Sequence, residues 1–337
     1  MKSAMVTGAG GFIGHHLVKR LKSEGYFVRG IDIKYPEYED TAADEFWLVD
    51  LRRDASRAFN SRSYCIRDFD EVYNLAADMG GIGYITKYLA SIARNNILIN
   101  VNMLEAAKAF EVGKYLYTSS ACVYNQDKQR DANVVPLKEE DAYPALPERG
   151  YGWEKLFAEQ MCEYYQQDYG LDIRMVRFHN VYGPLGTYDG GKEKSPAAIS
   201  RKVAGAQDGG EIEVWGDGLA TRSYMYIDDC VEGLRRLMAS DYTKPLNLGT
   251  DELVTVDGLV DIICRIAGKT LEKRHDLTKP QGVRGRNSDN SRLRQILGWE
   301  PKTLLADGLV PTYEWIQSQV LHPENRYRAL PSIDEWE

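Results

Sequence analysis

Residues 3–14 read SAMVTGAGGFIG. A short apolar run closes on glycines, with Gly8, Gly11 and Gly14 at Gly-x-x-Gly-x-x-Gly spacing. The continuation FIGHHLVKRLKSEG has apolar residues at 12, 13, 17, 18 and 21, the spacing of one helix face. Glycines there let the backbone approach a pyrophosphate, and a helix N-terminus favours its negative charge. A tight turn explains bare glycines equally well. The strand before them and the helix after them are the context a dinucleotide site requires.

Gly25 stops that helix and YFVRGIDI follows as the second strand. Asp32 ends it, 18 residues after Gly14. A carboxylate there accepts hydrogen bonds from the adenosine ribose and repels a 2′-phosphate, which selects NAD over NADP. Asp50, after a third strand, is a candidate for the adenine edge and equally an ordinary loop carboxylate.

Further strands read at 45–50, 71–77, 114–120 and 172–180, and helices at 87–111 and 151–169. This alternation predicts a Rossmann-type doubly wound parallel sheet with a smaller C-terminal α/β substrate-binding lobe. We expect residues 1–180, with 226–245 returning to them, to form the NAD-binding domain, and 181–225 with 246–337 the lobe. Ser195-Pro196 reads as N-cap and first residue of a helix in that lobe.

The chain has 337 residues, 43% hydrophobic and 27% charged, with a formal net charge of −8. That is ordinary globular usage, and the acidic balance disfavours nucleic acid as a partner. The first strand reads from Ala4, so no targeting segment is expected, and no apolar run of membrane-spanning length occurs. Five cysteines form no CxxC pair, which suits a reducing cytoplasm, and five histidines lack metal-ligand spacing, so no metal is expected.

TSSACVY (118–124) follows the strand at 114–120. Strand alternation puts Thr118, Ser120 and Cys122 on one face, unless the strand has already turned into loop at Cys122. A buried cysteine is usually a small hydrophobe, the reading for Cys65, Cys162, Cys230 and Cys264. Tyr151-Gly-Trp-Glu-Lys155 sets a phenol and an ammonium four apart on a helix, where the positive neighbour favours phenolate. Alone, such a pair is more often a solvated face. After a dinucleotide fold and a hydroxyl-rich strand end it reads as hydride-transfer machinery.

GAGGFIG, NLAA (74–77), the serine strand end and YGWEK resemble the extended short-chain dehydrogenase/reductase superfamily. That resemblance implies Ser120, Tyr151 and Lys155 as the hydride-transfer group and a homodimer formed through a helix bundle. It also implies NAD contacts from Gly8, Gly11, Phe12, Ile13, Gly14, Asp32, Asp50, Ala76, Tyr151 and Lys155. Dehydratases of the superfamily carry Asp-Glu after the serine; here Ala121-Cys122 stands instead.

NLAADMGGIGYI (74–85), SSACVY (119–124), RFHNVYGPLGT (177–187), GGKEKSPAA (190–198), WGDG (215–218), TRSYMYIDDCVEG (221–233) and GVRGRNSDN (282–290) narrow the resemblance to the GDP-mannose 3,5-epimerase family. It implies GDP-mannose as substrate, transient oxidation at C4, and Cys122 with Lys194 as an acid–base pair inverting C5 and then C3. It implies GDP-L-galactose and GDP-L-gulose as products. Gly80, Ser120, Ala121, Cys122, Asn180, Glu193, Lys194, Ser195, Lys202, Arg222 and Arg286 are then the substrate contacts, with both arginines as diphosphate clamps and Arg284 a weaker candidate. Ala220, where members of that family carry glutamine, and a longer stretch at 51–68 depart from the pattern. The alternatives are another nucleotide-sugar epimerase, a non-catalytic NAD- or nucleotide-sensing protein on this fold and, as runner-up, a GDP-4-keto-6-deoxymannose epimerase/reductase. The runner-up would need NADPH and a histidine soon after Tyr-Gly-Pro, where this chain has Leu185.

Overall fold

The computed structural model describes residues 1–59 and 69–325. Cys65, part of the 51–68 stretch, and the end of the chain lie outside them. The first half runs β1 (Ser3–Thr7), α1 (Phe12–Ser23), β2 (Phe27–Asp32), β3 (Glu45–Leu48), α2 (Ser56–Phe59), β4 (Glu71–Asn74), α3 (Ile82–Lys87), α4 (Leu89–Ala109), β5 (Lys114–Ser120), α5 (Tyr151–Tyr169) and β6 (Ile173–Phe178). The second runs β7 (Val181–Tyr182), α6 (Ser195–Gly205), β8 (Glu211–Trp215), β9 (Thr221–Ser223), β10 (Met225–Tyr226), α7 (Ile227–Ala239), β11 (Pro245–Leu248), β12 (Leu253–Thr255), α8 (Val256–Ala267), β13 (Glu272–Asp276), β14 (Gly285–Arg286), α9 (Ser291–Leu297) and α10 (Leu305–Leu321).

Seven strands form one parallel sheet in the order β11-β6-β5-β4-β1-β2-β3. All five residues of β1 are buried, as a strand covered on both faces requires. Ala4 and Val6 face the layer of α1 and α7, where Leu17, Leu21 and Leu234 are fully buried. Met5 faces the layer of α4 and α5, with Met103 and Ala158. Each buried Leu or Met contributes roughly 1.5–3 kcal/mol. A separate core joins α6, α8 and α10 around Val203, Leu259, Ile263 and Leu309.

The strand at 45–50 ends at Leu48, and the helix expected at 87–111 starts at Leu89, because Tyr88 leaves helical geometry at φ −114° and ψ 47°. Lys194, not Ser195, caps α6, which leaves Ser195 and Pro196 as its first two residues.

Candidate active site

The C-terminal ends of β1, β2, β4 and β5 open into one cleft of about 1010 Å³, walled on its far side by residues 186–202 and 213–224. Every residue expected at the cofactor and substrate sites lines it. Arg284 does not; it pairs with Asp217 at 2.7 Å.

The glycine loop fits a dinucleotide by its spaces. A Cβ on Gly14 would lie 2.1 Å from the Gly8 carbonyl oxygen, so that glycine serves the strand–helix contact. A Cβ on Gly11, which lines the cleft, would meet only that oxygen within 4 Å, at 3.2 Å. Gly11 caps α1 without a side-chain acceptor and no acid occupies the first turn, so the helix N-terminus is left for an anion. Asp32 Oδ2 accepts from the Gly10 N–H at 2.9 Å and Oδ1 from the Ile33 N–H at 2.7 Å. These bonds aim the carboxylate at the cleft, while burial raises its pKa. Asp50 instead pairs with Arg52 at 2.8 Å, which holds its carboxyl below the ordinary range. The residues present fit NAD.

Ser120 ends β5 and its Oγ accepts from the Cys122 N–H at 3.2 Å. That bond starts a 3₁₀ turn over Ala121–Val123, so the chain has left the strand before Cys122. The thiol reaches the cleft by the turn rather than by strand alternation. Tyr151 opens α5 and is 6% exposed; burial pushes its phenol well above the ordinary value, against the Ser120 hydrogen bond. Lys155 is 2% exposed, donates to the Thr118 carbonyl at 3.1 Å and lies 5.6 Å from the Tyr151 ring centre. Burial lowers its pKa. In this state burial outweighs the phenolate stabilisation expected from the lysine.

Burial, then the Glu148 carboxylate, push the Cys122 thiol up to about 11. Lys194 is half-buried and lines the cleft; desolvation of its amine lowers its pKa, while Cys122 acts the other way. Arg286 is fixed on three sides: Nε donates to Gln129 Oε1 at 2.7 Å, Nη1 to Cys122 Sγ at 3.5 Å and Nη2 to Glu148 Oε1 at 2.9 Å. Among the described residues Arg222 donates only to backbone carbonyls, including those of Thr221 at 2.7 Å and Val283 at 2.6 Å. Burial and the Arg286 charge bring its pKa down to about 10. A desolvated guanidinium without a carboxylate, beside a second one, is a site for an anion.

At the mouth, Lys202 donates to the Glu213 carbonyl at 2.9 Å beside the Trp215 indole. Asn180 donates to the Ser223 carbonyl at 3.0 Å, and the Ser195 hydroxyl bonds the Tyr224 phenol at 2.7 Å. Glu193 pairs with Arg201 at 3.3 Å. Glu148, Gln129, Asp78 and Glu154 are functional neighbours that the sequence did not single out. Burial pushes the Glu154 carboxyl up to about 7. Among the described residues no cluster of acids, histidines and cysteines is arranged to hold a metal, and no helix is long and apolar enough to cross a membrane.

A sequence profile of the NAD dependent epimerase/dehydratase family matches residues 4–249. GDP-mannose 3,5-epimerase 1 of Oryza sativa subsp. indica is 47% identical over 317 residues, covering 94% of this chain and 82% of that protein. UDP-glucose 4-epimerase of Thermotoga maritima, solved with UDP-glucose, superposes with a TM-score of 0.82 at 26% identity, over 94% of this chain and 99% of that one. UDP-glucuronic acid 4-epimerase of Bacillus cereus, solved with UDP-glucuronic acid and NAD, gives 0.79 at 26%, over 94% and 99%.

Proposed function

The chain belongs to the NAD dependent epimerase/dehydratase family, and from that premise we propose that it epimerises GDP-mannose at C5 and C3 with NAD as cofactor. The products are GDP-L-galactose and, after inversion at C5 alone, GDP-L-gulose. One observation carries this reading. A buried thiol, Cys122, and an amine, Lys194, line the same cleft as Ser120, Tyr151 and Lys155.

NAD, when bound, supplies the acceptor that holds the C4 hydride and returns it. Tyr151, positioned by Ser120 and supported by Lys155, takes the C4 hydroxyl proton and later gives it back. With a ketone at C4, the hydrogens at C3 and C5 become acidic. Cys122 and Lys194 remove a proton from one face of the ring and deliver one to the other. Positioned proton transfer of this kind typically contributes about 10²–10⁴-fold. Arg222 and Arg286 hold the diphosphate, a role supported by two desolvated guanidiniums side by side.

We assign NAD to residues 1–180 with 226–245, and the sugar nucleotide to 181–225 with 246–337. Trp153, Phe157 and Tyr164 leave about half their surface exposed along one stripe of α5, beside Leu98 of α4. That apolar face suits a homodimer built as a helix bundle, which sedimentation of a monomer would exclude. Among the described residues four buried thiols are unpaired, which suits the cytoplasm, an assignment that fractionation tests.

The functional test is incubation with GDP-mannose in heavy water. The expected outcome is deuterium at C3 and C5, none at C4, and no net consumption of added nicotinamide. Absence of deuterium at both carbons refutes the proposal.

A further inference from the structure

Lys192 and Lys194 flank Glu193, and all three line the cleft. Lys194 is half-buried, whereas the Lys192 side chain is 51% exposed. Lys192 is nevertheless held. Its Nζ lies 3.8 Å from Asp78 Oδ1 and 4.3 Å from the Tyr84 ring centre. The Tyr84 hydroxyl donates to the same Asp78 oxygen at 2.8 Å. Backbone closes the contact: the Gly81 N–H donates to the Lys192 carbonyl at 3.0 Å. A Cβ on Gly81 would lie 2.4 Å from the Glu193 carbonyl oxygen, so only glycine permits this approach.

The anchor under Asp78 is rigid. Its Oδ2 accepts from Asn95 Nδ2 at 3.0 Å, and its backbone N–H donates to Asn96 Oδ1 at 2.6 Å. Asn96 Nδ2 donates to Glu154 Oε1 at 2.7 Å, on the helix that carries Tyr151 and Lys155. The moving partner is the opposite. Gly190 and Gly191, at φ +86° and +85° with open space around them, precede Lys192.

We propose that Asp78, Tyr84 and Lys192 form a latch that fixes the 190–194 loop against α4 and α5 and so positions Lys194 for proton transfer. In this proposal Asp78 and Lys192 are positioning residues that act through Lys194. Exposed ion pairs and exposed cation–π contacts are individually weak, so the latch opens readily for exchange of substrate and product. The catalytic half of this inference rests on the epimerase reading, while the latch itself does not.

The test uses the NAD-bound protein, Lys192→Ala and Lys192→Arg. Without substrate, amide hydrogen exchange at Gly81 should rise about 5- to 10-fold in Lys192→Ala and return in Lys192→Arg. Unchanged exchange in Lys192→Ala overturns the latch. With GDP-mannose in heavy water, Lys192→Ala should label C5 and C3 about 5- to 10-fold more slowly, while the transient nicotinamide absorbance that reports C4 oxidation forms as in the wild type. Loss of both signals together, or no recovery in Lys192→Arg, overturns the positioning role. A wild-type protein that labels neither carbon refutes the epimerase reading, and the amide exchange still decides the latch.

Discussion

Replacing Glu148 by glutamine should lower the Cys122 pKa. The two side chains share one guanidinium, with Arg286 Nη2 2.9 Å from Glu148 Oε1 and Nη1 3.5 Å from Cys122 Sγ. The Glu148 carboxylate is the strongest charge raising the thiol and Arg286 the strongest lowering it. Two unit charges roughly 5 Å apart at an effective dielectric of about 20 interact by about 3 kcal/mol, or about 2 pKa units. The cleft side of Glu148 is partly open, its side chain 14% exposed, which reduces the effect. We therefore expect a downward shift of about 1–2 units from a thiol at about 11. Glutamine keeps an oxygen for the Arg286 contact, so the turn at 121–123 should stay in place.

Alkylation of Cys122 by iodoacetamide, read on its own peptide by mass spectrometry with Cys122→Ser as blank, measures the shift. At about pH 8.5, each unit gives about tenfold more thiolate, partly offset by its lower intrinsic nucleophilicity, for a net gain of about 4- to 15-fold. An unchanged or slower rate would refute the claim that Glu148 holds the thiol protonated.

Two further perturbations separate cofactor binding from folding, and charge from shape. Gly11→Ala should melt within about 1 kcal/mol of the wild type yet lose bound NAD at least about tenfold, whereas Gly14→Ala, whose Cβ meets backbone at 2.1 Å, should be destabilised by about 1–3 kcal/mol. Thermal melts and nucleotide released on denaturation report both; full NAD occupancy in Gly11→Ala would remove the cradle argument. Glu154 is 2% exposed, and its carboxyl is raised from 4.5 to about 7. Its favourable contribution is complete below 4.5 and is lost as pH rises through about 7, leaving a penalty of about 3 kcal/mol above that. Glu154→Gln should therefore exceed the wild type by up to about 3 kcal/mol in denaturant titrations near pH 8 and by little near pH 5. A difference independent of pH would contradict this assignment.

The glycine loop, Asp32 and the Tyr151–Lys155 helix were legible because each is a local pattern: a turn, a strand end, a spacing of four. Cys122 was found at the cleft for a reason that the backbone does not obey. Alternation assumes a strand through residue 122, but Ser120 captures the next amide but one and turns the chain. Side-chain chemistry at 118–124 was therefore readable while its geometry was not. Gln129 and Glu148 were invisible because their meaning lies in Arg286, 157 and 138 positions away. Glu154 hid inside a helix motif, where a glutamate between Trp153 and Lys155 looks like a solvated face. Only its contact with Asn96, 58 residues away, shows it buried.

The same burial that hides these groups explains why a thiol and an amine suit two-sided proton transfer. Their ordinary values, 9.0 and 10.5, make the thiol the stronger acid in water. In the cleft the order reverses, with the thiol near 11 and the amine below 10.5. Desolvation penalises thiolate and ammonium alike, so it favours the neutral pair. When both are neutral, the thiol can give a proton and the amine can take one, which inversion at a single carbon needs at once. In the proposed reaction the negative charge left when a proton leaves C5 or C3 would arise in a cleft where Arg286 is already fixed against Cys122 by Gln129 and Glu148.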